Sequence, residues 1–134
     1  MKRLLLCLLW FSLAATVHAT EPETAPAFDQ TKLVGEWRYV DEEAKVEARY
    51  VFRADQSYTS ELWRDGELAR KFEGTWAVEE GMLVYTYLKD SMDQIQTGAR
   101  ERDRLLRIDE SSYSIQAGDG GTRTYFRVKE DEAR

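Results

Sequence analysis

VEARYVF, residues 46–52, and KFEGTWAV, residues 71–78, decide the fold. In the first, Val46, Ala48, Tyr50 and Phe52 share one face, and Lys45, Glu47, Arg49 and Arg53 share the other. In the second, Phe72, Gly74, Trp76 and Val78 oppose Lys71, Glu73 and Thr75. Strict alternation is the period of a strand with one dry and one wet side, the habit of antiparallel sheets. Gly74, in mid-strand, marks a place where such a sheet can bend.

Working outward, the same pattern recurs between turn signals. These are Asp41-Glu42-Glu43, Asp55-Gln56, Asp65-Gly66, Glu79-Glu80-Gly81, a longer stretch from Asp90 to Gly98, Asp109-Glu110, and Gly118-Asp119-Gly120-Gly121. Seven turns separate eight strands over the 97 residues from Leu33 to Lys129, near the spacing of sandwiches and barrels. Asp65-Gly66 suits the positive φ angles of a type I′ hairpin. No window carries a helical period; a helical turn within 90–98 and a 3-10 turn within 28–33 are the only helical expectations. The reading is an all-β, eight-stranded, antiparallel up-and-down barrel, in which pairing of the first and last strands removes both exposed edges. A sandwich of two four-stranded sheets is the alternative.

The ends read differently. Lys2 and Arg3 precede an apolar run from Leu4 to Val17, and Ala19 offers a small residue for cleavage, so residues 1–19 read as a secretory signal peptide. The run is shorter than the ~20 residues that a membrane-spanning helix needs. Residues 20–27 hold both prolines, Pro22 and Pro26, and read as a flexible tether; the barrel domain is 28–129 and a charged tail follows at 130–134. Cleavage removes the only cysteine, Cys7, and the only histidine, His18. It also takes the formal net charge from −6 to −8 through the loss of Lys2 and Arg3. The expected product is an exported monomer, periplasmic or secreted from a bacterium, with no attraction to nucleic acid and no membrane span once the signal is cleaved.

Without thiol or imidazole, nucleophile–histidine catalysis and Cys/His zinc sites are excluded. Gly118-Asp119-Gly120-Gly121 lacks the Lys-Ser/Thr of a phosphate loop and reads as a hairpin turn. Asp41-Glu42-Glu43 lacks the spaced oxygens of a Ca²⁺ loop. Glu101 and Asp103 share a strand face at a spacing open to acid–base work. Arg100, Arg102, Arg104 and Arg107 surround them, however, and favour an ion-pair network on a solvated face. The expectation is no enzyme, no metal and no cofactor.

Aromatic residues remain. Tyr39, Tyr50, Phe52, Tyr58, Leu62, Phe72, Trp76, Tyr85 and Phe126 are the inward candidates. They either fill the core or line a lumen that takes one small apolar or amphipathic ligand.

Residues 28–37, FDQTKLVGEW, resemble the opening of lipocalins, where a short turn leads into a first strand bearing Gly-x-Trp, here Gly35 and Trp37. The likeness is nearer to small bacterial lipocalin-like, calycin-type domains, through Gly35-Glu36-Trp37, residues 52–58, and Gly74-Thr75-Trp76 followed by Gly81-Met82-Leu83. The resemblance implies that Trp37 lies at the barrel floor beneath the last-strand Arg127, the pair being joined by a cation–π contact. It implies a ligand-binding module; a filled barrel that engages a protein partner, as an inhibitor or envelope accessory protein, is the second reading.

Overall fold

The computed structural model describes residues 27–131, so the expected signal peptide, the tether up to residue 26 and the end of the charged tail lie outside the described residues. A 3-10 turn, Gln30–Leu33, precedes eight strands: β1 (Gly35–Asp41), β2 (Val46–Phe52), β3 (Ser57–Arg64), β4 (Glu67–Glu79), β5 (Met82–Asp90), β6 (Arg100–Ile108), β7 (Ser112–Gln116) and β8 (Thr122–Arg127). Each strand pairs antiparallel with the next, and β8 returns to β1, closing a barrel rather than a sandwich. Among the described residues no helix is long and apolar enough to cross a membrane.

The turns follow their residues. Asp65 and Gly66 both take positive φ, 51° and 78°, as a type I′ hairpin requires, and Glu80-Gly81 repeats the device at 51° and 75°. Residues 91–99 form turns and no helix. The Asp90 carboxylate accepts the backbone N–H groups of Met92, Gln94 and Ile95, supplying bonds that a helix would otherwise make.

β4, at 13 residues the longest strand, changes register between Glu73 and Gly74. A Cβ on Gly74 would stand 1.9 Å from the Thr86 carbonyl oxygen and 2.9 Å from the Tyr58 ring. Only glycine lets β4 and β5 approach this closely, and the bend tightens the barrel.

One end of the barrel is sealed. There the 3-10 turn crosses beneath the strands, and the Trp37 indole N–H donates to the Leu33 carbonyl at 2.8 Å. Arg127 lies over Trp37, with the guanidinium carbon 4.2 Å from the ring centroid. Its Nη1 donates to the Val34 carbonyl at 2.9 Å, Nη2 to that of Lys32 at 2.7 Å and Nε to that of Glu110 at 2.8 Å. Above this floor Trp37, Phe52, Tyr58, Leu83, Leu105, Tyr113 and Ile115 are buried.

Two outcomes test this account. Arg127→Lys keeps the charge and loses the planar fork, so unfolding in urea should show a loss of about 2–4 kcal/mol with an unchanged slope. Gly74→Ala should cost about 1–3 kcal/mol or more, because the carbonyl that its methyl meets belongs to the backbone.

Candidate functional site at the barrel mouth

Residues directly opposed across an antiparallel pair share a face, so the registers settle which side chains enter the lumen. Trp37 is buried at the floor and opposes Tyr50; Phe52 opposes Tyr58, and Trp76 opposes Tyr85. Tyr39 opposes Ala48, Gly74 opposes Tyr87, and Tyr113 opposes Tyr125. All seven tyrosines of the chain therefore point inward. The rings interlock: Tyr113 meets Trp37 edge-on at 4.9 Å and stacks on Tyr125 at 4.8 Å, and Tyr125 in turn meets Tyr39 at 5.4 Å and Tyr50 at 5.5 Å.

The sequence candidates divide by depth. Phe52, Tyr58, Trp76 and Tyr85 are buried in the lower lumen, and the Trp76 indole donates to the Arg53 carbonyl at the floor. Tyr39, Tyr50, Leu62 and Phe72 are only half-buried, towards the end formed by the β1–β2, β3–β4, β5–β6 and β7–β8 turns. That end is the mouth. Phe126 is a correction: it is 61% exposed on the outer surface, because period-two alternation cannot place both it and Arg127 inside. Tyr125 holds the inward position.

A second correction concerns Glu101 and Asp103. They do not form an ion-pair network on a solvated face. Leu83 opposes Asp103 and Tyr85 opposes Glu101, so both carboxylates share the inner face, Asp103 buried and Glu101 still exposed, while Arg100 and Arg107 pair outside with Glu79 and Asp109. Asp103 is only 8% exposed and accepts no hydrogen bond among the described residues. Burial, reinforced by Glu101, pushes its pKa up to about 6 against the opposing pull of Arg123. Arg123, half-buried and inward from β8, reaches Asp119 in the β7–β8 turn at 3.4 Å. Glu101 accepts a hydrogen bond from the Tyr87 hydroxyl. Arg70 is held by Asp90 through Nε at 2.9 Å and through Nη2.

Of the seven hydroxyls, that of Tyr87 donates to Glu101, and that of Tyr125 lies within reach of the Arg123 guanidinium. The Tyr113 hydroxyl is wholly buried and makes no hydrogen bond that meets ordinary distance and angle limits, with the Tyr85 phenol its nearest polar neighbour. Desolvation holds the Tyr50, Tyr85 and Tyr113 phenols well above the ordinary tyrosine value, so they remain neutral donors. The Ser60 side chain, on the same face between Tyr50 and Phe72, is also buried. The lumen thus presents a packed aromatic base beneath a ring of hydroxyls and two carboxylates.

Two outer concavities differ in character. A groove of about 530 Å³ runs over β1–β3, with Arg49 stacked on Trp63 at 5.2 Å. Glu47 there already accepts from both Arg38 and Arg49. A cleft of about 370 Å³ lies along the β1–β8 seam, between Val40 and Phe126.

No family model and no curated protein matches this chain in sequence. Solved structures match it in shape. A Bacteroides uniformis protein solved by NMR superposes with a TM-score of 0.56 over 76% of this chain and 94% of its own, at 14% identity. A lipocalin-like protein from Bacteroides uniformis, solved by crystallography at 1.79 Å, gives 0.51 over 72% and 99%, also at 14% identity. The chain has a lipocalin-like fold.

The buried carboxylate has a measurable signature. From the ordinary carboxylate value up to about 6, folded Asp103 keeps a proton that the unfolded chain releases, so stability falls as pH rises through that window. Asp103→Asn should gain about 1–3 kcal/mol near pH 7.5 and nothing near pH 3.5, measured by paired thermal melts. An equal difference at both pH values would place the carboxylate in solvent.

Proposed function

We propose that this chain is an exported, non-enzymatic binding protein that takes a small amphipathic molecule through the open end of its lipocalin-like barrel. The observation that carries the reading is the buried Tyr113 hydroxyl, which makes no hydrogen bond among the described residues. A buried hydroxyl left unpaired costs about 1–3 kcal/mol, and a ligand or ordered water that bonds it recovers that cost. The half-buried Tyr39, Tyr50, Leu62 and Phe72 supply an apolar collar above it. The charged, apolar and small-residue zones of residues 1–19 support the export part of this reading, to the periplasm or outside the cell.

A second reading rests on Phe126, 61% exposed beside Val40, 40% exposed, on the outer wall of the seam: this face would dock a protein partner.

One titration separates the two. The neutral fluorescent probe N-phenyl-1-naphthylamine should bind saturably. Leu62→Trp, which plugs the mouth, should weaken it about tenfold or more, and Phe126→Ser should leave it unchanged. Loss of binding in Phe126→Ser with none in Leu62→Trp would move the site to the outer wall. Native mass spectrometry of protein purified from its own host should in addition show a small-molecule adduct and no co-purifying protein.

A further inference from the structure

We infer that the lumen selects a protonated primary amine on a small apolar group, with the Asp103 carboxylate as its counter-ion and the tyrosine rings around it as an aromatic collar. The inference rests on the luminal reading above and names the ligand class for that site.

Charge inside a closed wall sets the ligand class. Glu101 and Asp103 stand two residues apart on β6 and share its inner face, Asp103 buried and Glu101 exposed towards the mouth. The inward cation nearest them is Arg123, which is drawn to Asp119 at the rim. Arg70, on β4, is committed to Asp90 by two hydrogen bonds. The upper lumen therefore carries excess negative charge at a site partly removed from water, where a carboxylate is costly unless paired. Asp103 accepts no hydrogen bond among the described residues, so both of its oxygens remain for an incoming donor.

The surrounding chemistry agrees. Tyr85, Tyr113 and Tyr125 each lie close enough to feel the Asp103 charge, and Tyr50 packs against Tyr85 and Tyr125 at 5.8 Å and 5.5 Å. The faces of such rings are negative, and an ammonium placed against them gains a cation–π attraction on top of its ion pair. The Tyr113 hydroxyl supplies the independent sign of a missing ligand atom, being fully buried, directed towards the same rings and without a partner. A primary ammonium suits the site better than a quaternary one, because unpaired carboxylate oxygens need N–H donors. An anionic head group would meet two like charges.

Isothermal titration calorimetry with three matched probes tests the inference. Phenethylamine should bind. 2-Phenylethanol should bind about tenfold more weakly or less, and 3-phenylpropanoate should not bind measurably. Asp103→Asn, a substitution expected to stabilise the fold, should reduce phenethylamine affinity about tenfold or more and leave 2-phenylethanol unaffected; Glu101→Gln should give a smaller loss in the same direction. Equal binding of the alcohol and the amine, binding of the carboxylate, or an Asp103→Asn variant with unchanged amine affinity would overturn the amine assignment. Binding of none of the three would overturn it as well. In each case the neutral naphthylamine titration with Leu62→Trp decides separately whether the lumen binds anything at all, since that probe needs no counter-ion.

Discussion

Closure of the barrel depends on Arg127. The ladder between β1 and β8 consists of only two register pairs, Trp37 with Arg127 and Arg38 with Phe126, whereas β1 and β2 share seven. So short a seam is a weak clasp on its own. Arg127 reinforces it from within: its plane covers Trp37, and its three bonded carbonyls come from the segment before β1 and from the β6–β7 turn. One guanidinium joins the first strand, the last strand, the turn beneath the floor and the linker feeding into it. Arginine suits this position because its donors lie in a fixed fork and its flat, weakly hydrated face tolerates stacking.

That arrangement fixes where the barrel can be open. The 3-10 turn, Trp37 and Arg127 occupy the floor, and Gly74 draws β4 and β5 together above it. Among the described residues no second 3-10 turn or helix crosses the opposite end. It is rimmed by four turns, and its inner residues become half-exposed as the strands approach them. The same division separates the energetics. Apolar burial and ring packing stabilise the lower half, while the upper half holds a desolvated carboxylate that works against folding at neutral pH.

Much of the fold was legible in sequence because strand alternation and turn chemistry are local signals. Residues 46–52 and 71–78 declare their inner faces outright, and Asp65-Gly66 declares its hairpin. The site was less legible. The order Arg100-Glu101-Arg102-Asp103-Arg104-Leu105 puts Leu105 in phase with both carboxylates, and that phase was the available sign that they face inward. The flanking arginines outweighed it, since near neighbours along the chain suggest ion pairs that the pleat forbids by pointing them to opposite faces. Phe126 misled for a related reason: hydrophobicity suggested the interior, but an inward Arg127 obliges its neighbour to face out. The unpaired Tyr113 hydroxyl carries no sequence signal, because it depends on what the other strands leave around it.

The choice of tyrosine then becomes informative. A lumen meant only to be filled is served by phenylalanine, which gives nearly the same ring packing and no hydroxyl to satisfy. Here all seven tyrosines face inward, while the described phenylalanines are divided between interior and surface, with Phe52 buried and Phe126 exposed. Each inward hydroxyl without a partner is a standing cost of about 1–3 kcal/mol when buried. Replacing Tyr113, whose hydroxyl is buried without a partner, with phenylalanine would stabilise a purely structural barrel. Their concentration on one inner surface, with the buried Asp103 among them, is the feature on which the proposed luminal site rests.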